Sequence, residues 1–171
     1  GAGNRMASMV ENLQEAFAGE SKANRLYLAF AQKAEEEGFP QVAKLFRAVA
    51  EAETIHALMH LSVLKGVRST ADNLRHSIDE ERYEHTSMYP GFIEQAKKDG
   101  DINALRSFTL ANNVEKVHEK LYLSAVHSVS ANMDIPAKRL YLCPVCGNIE
   151  EYAPDRCPVC GASGSSFKEV L

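Results

Sequence analysis

Seven acidic and imidazole side chains lie within apolar helical patterns and could bind metal: Glu20, Glu53, His56, Glu81, Glu84, Glu115 and His118. Four of them form two identical Glu-x-x-His pairs. Residues three apart lie on one face of an α-helix, so each pair can direct a carboxylate and an imidazole at the same point. One glutamate from each of two helices, with a Glu-x-x-His pair from each of two others, is the donor set of a di-metal site in a four-helix bundle.

The specificity of this pattern lies in the complete set. A single Glu-x-x-His pair occurs often by chance, and a lone glutamate beside an apolar stripe usually reaches water. Here four helical segments each contribute at a similar depth, and two of them do so with the same spacing. Carboxylates combined with imidazoles suit iron or manganese and leave coordination positions open for an oxygen species. We therefore expect a di-metal centre.

A second candidate metal site lies near the C-terminal end of the sequence. Two Cys-Pro-Val-Cys-Gly segments supply all four cysteines of the chain, Cys143, Cys146, Cys157 and Cys160. The glycine of each segment permits a tight turn that can direct backbone N–H groups at the sulfurs. Four thiolates form a tetrahedral site that can hold zinc or iron. Zinc would only fold this segment, whereas iron would make it an electron carrier.

The overall composition excludes several classes of function. A chain of 171 residues with a net charge of -4 is not suited to nucleic acid as its main partner. No apolar run is long enough to span a bilayer, so no membrane partner is expected. Cysteines confined to metal-site spacing favour a reducing, cytoplasmic location. The first residues, Gly1-Ala2-Gly3, resemble a cloning remnant.

Apolar residues recur at helical spacing in four long segments, predicted at about 9–37, 40–64, 71–99 and 102–129. The expected organisation is a tag or disordered start at 1–8, a helical bundle at 9–130, a linker at 131–139 and a metal-binding domain at 140–171. This last domain is too small to own a hydrophobic core, so metal must hold it.

The helical part contains an internal repeat. A shift of 62 residues superposes the two Glu-x-x-His pairs, and it superposes one aromatic trio, Tyr27, Phe30 and Phe46, on another, Tyr89, Phe92 and Phe108. Glu20 departs from the pattern, because the shift places it one residue past Glu81. We therefore predict one extra residue in the third helix, absorbed as a π-bulge between Glu81 and Tyr89. Such a bulge would help both Glu81 and Glu84 to face the core.

These residues resemble the rubrerythrin family over essentially the whole chain. The resemblance rests on Gly19-Glu20-Ser21, the two Glu-x-x-His pairs, Glu81-x-x-Glu84 followed by Met88-Tyr89-Pro90, and a C-terminal segment that looks like rubredoxin. It implies an all-α, ferritin-like four-helix bundle with a small C-terminal rubredoxin-like metal ribbon. It also implies a non-haem di-iron centre in the bundle and a single iron on the four cysteines.

The resemblance further implies the ligands and the activity. Six residues would ligate the di-iron pair: Glu20, Glu53, Glu81, Glu84, Glu115 and His118. One iron would exchange Glu84 for His56 when the pair is reduced. The implied reaction is reduction of hydrogen peroxide to water, with electrons from NAD(P)H through a separate reductase or rubredoxin. A homodimer, with or without exchanged helices, is the implied assembly.

Two other functions remain open at this stage. A ferritin-like ferroxidase would use the same bundle ligands to oxidise iron(II) as its substrate, although it would not need the four-cysteine segment. A structural bundle carrying a zinc ribbon would act only as an interaction module. The ligand-type residues on apolar faces argue against that last reading, because unpaired buried carboxylates are costly.

Overall fold

The computed structural model describes residues 7–171, and within them the chain divides into two compact units, one ending at Arg68 and one beginning at Ser69. Most of the expected start at 1–8 therefore lies outside the described residues. Of that stretch, Ser8 is described and caps the first helix. Among residues 7–171, no helix combines the length and the apolar character that a membrane crossing requires.

The first unit is a helical hairpin formed by α1 (Met9–Glu36) and α2 (Pro40–Val63). A reciprocal capping box starts α1: the Glu11 amide donates to Ser8 Oγ over 3.1 Å, and the Ser8 amide donates to the Glu11 carboxylate. Gly38 takes the left-handed conformation, with φ of 82°, between the two helices. Small residues lie buried in each helix, since Ala31 of α1 and Ala43 of α2 are at most 2% exposed.

The second unit begins with a helix that contains a π turn. Helix α3 (Thr70–Tyr83) runs into a π-helical segment, Glu84–Met88, and then into α4 (Tyr89–Asp99). The amide of Tyr89 donates to the carbonyl of Glu84, five residues back. The predicted third helix is thus interrupted by a π-bulge at the place where the repeat requires an extra residue, and that prediction is confirmed.

Helix α5 (Ile102–Ser130) completes the helical part of the second unit. Gly100, with φ of 68°, ends α4, and the Asp101 side chain caps α5 by accepting from the Ala104 amide over 2.9 Å. The aromatic trios of the repeat are both assembled. Ring centroids lie 5.6 Å apart for Phe30 and Phe46, and 5.4 Å apart for their counterparts Phe92 and Phe108. The two helical hairpins therefore repeat the same local packing.

The chain ends in a small antiparallel sheet with the order β2-β1-β3, formed by β1 (Leu140–Leu142), β2 (Ile149–Glu150) and β3 (Lys168–Val170). Tyr141 of the central strand pairs with Glu150 on one side and with Glu169 on the other. The buried residues here are Cys143, Cys157 and Asn148, none more than 3% exposed. This segment, residues 140–171, is called the tail below.

Candidate metal centres

In the first unit, the structure brings together three of the predicted ligands: Glu20 from α1, and Glu53 and His56 from α2. One ligand atom from each lies within 4.8 Å of the others. The Nδ1 atom of His56 is 3.3 Å from the Glu53 carboxylate and 3.8 Å from that of Glu20. Two carboxylates and one imidazole converging on one point match the donor set expected for iron or manganese.

The two carboxyl groups of this triplet are electrostatically coupled. A hydrogen bond between them raises the pKa of Glu20 and lowers the pKa of Glu53. A metal ion bound between them would favour the ionised form of both groups.

In the second unit, Glu81 from α3 gathers with Glu115 and His118 from α5, again within 4.8 Å. His118 Nδ1 is 3.5 Å from the Glu115 carboxylate and 3.6 Å from that of Glu81. The Glu81 Oε2 atom is buried and makes no hydrogen bond within the described part of the chain. A buried carboxylate oxygen without a hydrogen bond is costly unless a cation satisfies it, so this triplet fits a bound metal ion.

Glu84 opens the π turn and is half-buried. It lies outside the close triplet of Glu81, Glu115 and His118, although the charge of His118 acts on it. Burial, and then the charge of Glu80, raise the pKa of Glu84. Burial and the charge of Glu84 in turn raise the pKa of Tyr89. A cation beside Glu84 would oppose the rise in its pKa, because it would stabilise the ionised carboxylate.

The four cysteines of the tail converge as their spacing predicts. The sulfur atoms lie 3.7 Å apart for Cys143 and Cys160, and 3.6 Å apart for Cys146 and Cys157. A tetrahedral ion with bonds of about 2.3 Å to sulfur requires sulfurs about 3.8 Å apart. The thiol set therefore has the dimensions of a four-cysteine metal site, which both iron and zinc can occupy.

The two cysteine turns contain glycines in a left-handed conformation, and the backbone of one turn favours ionisation of Cys157. Gly147 and Gly161 adopt φ values of 84° and 77°, in the left-handed region that favours glycine. Although burial opposes ionisation of Cys157, the backbone N–H groups of Cys160 and Val159 lower the pKa of its thiol to about 7. Backbone donors that stabilise a thiolate also stabilise its bond to a metal.

One hydrogen bond joins the helical part of the second unit to the tail. His118 Nε2 lies 3.0 Å from the carbonyl oxygen of Gly147, the residue after Cys146. Because a carbonyl can only accept, Nε2 carries the proton. The other ring nitrogen, Nδ1, is then free to bind a metal, and it is the atom that faces Glu81 and Glu115.

The sequence analysis missed a charged cluster beside this triplet. His85 Nε2 forms a hydrogen bond with the carboxylate of Glu119, and the same carboxylate accepts from Arg82 Nε over 2.6 Å. Glu119 occupies the repeat position of Ala57 in the first unit. A glutamate at a helix position where the repeat has a buried alanine was the available signal.

Comparison with known proteins identifies the family. The family model described as rubrerythrin matches residues 11–126, and the model described as rubrerythrin, rubredoxin-like domain, matches residues 141–168. The chain belongs to the rubrerythrin family. This rubrerythrin is 35% identical to rubrerythrin-2 of Clostridium acetobutylicum, an alignment that covers 95% of this chain and 96% of that protein. It is also 35% identical to nigerythrin of Nitratidesulfovibrio vulgaris, covering 95% and 86% of the two chains.

Solved structures agree with the family assignment. A structure of nigerythrin in its fully reduced, all-ferrous state matches 98% of this chain and 89% of its own, with 33% identity and a TM-score of 0.57. The predicted fold, a ferritin-like helical architecture with a C-terminal rubredoxin-like domain, is confirmed. Family membership and the two kinds of donor set together support iron as the bound metal.

Proposed function

We propose that this rubrerythrin is a non-haem di-iron peroxidase that reduces hydrogen peroxide to water. Its family membership and its donor sets support an iron-dependent oxidoreductase. Electrons would reach the di-iron centre through an iron held by the four cysteines of the tail. The single observation that carries the proposal is the hydrogen bond between His118 and Gly147, because it connects a candidate ligand of one centre to the backbone of the other.

The proposed ligands of the di-iron centre are the seven that the sequence predicts: Glu20, Glu53, His56, Glu81, Glu84, Glu115 and His118. The repeat supports this proposal, since each unit carries the same combination of one helix glutamate with a Glu-x-x-His pair. As the resemblance implies, Glu84 and His56 would be alternative ligands of one iron in the oxidised and reduced states. A neutral imidazole suits the reduced ion because that ion carries less positive charge.

Reduction of one hydrogen peroxide to two waters consumes two electrons and two protons. Iron held by the Glu and His ligands would supply these electrons, and iron held by the four cysteines would supply their replacement. This chain's residues would hold the iron and orient its ligands. The Nε2–H of His118 fixes the tautomer that presents Nδ1 to a metal.

Several finer features are part of the same proposal. The ultimate electron source would be NAD(P)H, through an external reductase or rubredoxin, in a cytoplasmic homodimer. A ferroxidase remains the second candidate, and the carboxylate-rich triplets are the observation that favours it. The contact between His118 and the tail favours the peroxidase, since iron oxidation would not need an attached electron carrier.

Visible spectra of the chain purified from iron-replete cells test the proposal. We expect an iron(III)–thiolate band that a reductant bleaches under anaerobic conditions and that stoichiometric hydrogen peroxide restores. A Cys157→Ser variant is the matched control, because it should lack the band and depend on artificial electron donors. Absence of the iron(III)–thiolate band, combined with turnover of added iron(II) and no peroxide consumption, would favour the ferroxidase instead.

A further inference from the structure

Glu119 is a buried carboxylate that the proposed chemistry does not use. It is 9% exposed and follows the candidate ligand His118 on α5. One of its oxygens accepts from Arg82 Nε over 2.6 Å, and the other forms a hydrogen bond with His85 Nε2. The hydrogen bond from His85, and then the one from Arg82, hold the pKa of Glu119 below its usual range despite its burial. A buried carboxylate is tolerated when it is paired in this way.

The two partners of Glu119 lie on either side of Glu84. Arg82 belongs to the last turn of α3, and His85 is the second residue of the π turn. The His85 side chain is 14% exposed, so its contact with Glu119 is enclosed. A third contact secures the same stretch, because the Thr86 hydroxyl donates to the carbonyl of Arg82 over 2.6 Å. Glu119 of α5 thus forms hydrogen bonds with residues on both sides of Glu84, a candidate ligand.

The first unit provides an internal comparison. The shift of 62 places Ala57 at the position of Glu119, and the offset of 61 that superposes Glu20 on Glu81 places Ser21 and Asn24 at the positions of Arg82 and His85. Ala57 is 7% exposed, and Asn24 donates to the backbone carbonyl of Ala50 over 2.8 Å. Helix α1 runs as a regular α-helix through this stretch. Of the two hairpins, the charged cluster occurs in the one that contains the π turn.

We propose that Glu119 is a positioning residue that fixes the π turn and so keeps the Glu84 carboxylate on the same helix face as Glu81. A π turn adds one residue to a helix, and each residue rotates the side chains that follow by about 100°. If the extra residue moved to the N-terminal side of Glu84, between it and Glu81, Glu84 would rotate away from that face. The inference rests on the proposed di-iron site, because Glu84 matters here as a ligand of that site.

Two variants test the proposal in the full-length chain. Glu119→Gln keeps the side-chain shape and removes the charge. A triple variant copies the residues of the first hairpin: Arg82→Ser, His85→Asn, Glu119→Ala. Because it removes all three members of the cluster together, it leaves no buried charge unpaired and should still fold. Lys120→Gln, an exposed neighbour on α5, is the control.

The first measurement is hydrogen–deuterium exchange of the metal-free chain. We expect amides of residues 84–89 to exchange about tenfold faster in both variants, and amides of residues 9–63 to remain unchanged. The control should match the unmodified chain. Exchange that is unaltered at 84–89, or that accelerates equally throughout the helices, would overturn the proposal.

The second measurement is Mössbauer spectroscopy after loading with iron. We expect the variants to alter the signal of one of the two irons and to bind that ion about tenfold more weakly. A purely structural role would lower the melting temperature and leave the spectrum of the folded protein unchanged, which would contradict the proposal. If the unmodified chain bound no iron pair, the proposed function would fail, whereas faster exchange at 84–89 would still support the role of Glu119 in fixing the π turn.

Discussion

The imidazole of His118 lies 3.0 Å from the carbonyl oxygen of Gly147, and this one hydrogen bond joins α5 to a turn of the four-cysteine tail. The same ring presents its other nitrogen to Glu81 and Glu115. A histidine ligand is commonly oriented by the group that its second ring nitrogen binds. Here that group is the carbonyl of Gly147, which follows Cys146, a candidate ligand of the other metal centre. We therefore expect a change in the Gly147 turn to move the His118 ring relative to Glu81 and Glu115.

A Gly147→Ala substitution tests this connection. Gly147 has φ of 84°, a conformation that costs a residue with a Cβ atom about 1–2 kcal/mol. Alanine at this position should therefore strain the turn and shift the carbonyl that His118 contacts. We expect the tail to deliver electrons to the iron pair more slowly after peroxide is added, while direct reduction by a small artificial donor stays unchanged. Stopped-flow absorbance of the iron–thiolate band measures both rates.

Gly161→Ala provides the matched control for that experiment. Gly161 has φ of 77° in the other cysteine turn, and a Cβ atom there would meet nothing within 4 Å. Both substitutions strain a turn to a similar degree, but the Gly147 turn is the one that contacts α5. Equal slowing in the two variants would mean that turn strain, and not the contact with His118, limits electron delivery.

Removal of a glutamate from either triplet tests the ligand assignment. We expect Glu53→Ala and Glu115→Ala each to weaken iron binding by about tenfold or more, because each variant lacks an anionic ligand. Iron analysis and the visible spectrum give the result, with the exposed Glu51→Ala on α2 as control. Iron content and peroxide turnover that match the unmodified chain would contradict the ligand assignment.

A His56→Ala variant separates ligand exchange from ligand binding. If His56 serves the reduced state, the oxidised centre should keep its iron while peroxide turnover slows. Steady-state kinetics and iron content of the oxidised protein measure the two effects. His60→Ala is the control, since His60 lies one turn further along α2 and outside the triplet. Turnover that matches the unmodified chain would rule out a role for His56 as an exchangeable ligand.

The pKa of Cys157 predicts how the metal-free tail responds to pH. Its folded value of about 7 lies below the value of about 8.5 for an unfolded cysteine. Ionisation therefore stabilises the folded tail above about pH 8.5, and this contribution is lost as the pH falls through about 7. We expect alkylation of Cys157 to be half-maximal near pH 7 and that of Cys146, whose pKa is raised mainly by burial, at a much higher pH.

Mass spectrometry of the chelator-treated chain, alkylated over a range of pH, resolves the four thiols. The unfolded chain in denaturant is the reference, because all four cysteines should then titrate alike. Four equal titrations near pH 8.5 without denaturant would show that the tail does not keep this fold when it lacks metal.

Local and repeating features could be predicted from the sequence. The helix ends follow capping residues such as Asp101 and turn glycines such as Gly100, so most predicted limits fall within one residue of those observed. The π turn was predicted because the interval from Glu81 to Tyr89 is one residue longer than the matching interval from Glu20 to Tyr27. The cysteine site follows from its spacing, since each turn contains two ligands close in sequence.

Contacts between distant residues could not be predicted in the same way. The Glu119 cluster joins residues 34 and 37 positions apart, and its members look like ordinary exposed charges along α3 and α5. The contact between His118 and Gly147 spans 29 positions and depends on a backbone carbonyl, which has no sequence signature. The roles of the ligands themselves stay predictions, because they depend on ions.

The matched aromatic trios also bear on ancestry. The offset is 61 positions before the extra residue and 62 after it, and it superposes ligands, rings and turn glycines, which is the pattern that a duplicated segment leaves. Each copy of that segment would have carried one glutamate and one Glu-x-x-His pair, and the two copies have since diverged. The inserted residue marks that divergence, since Glu84 aligns with Ala23 and so has no acidic twin in the older pattern.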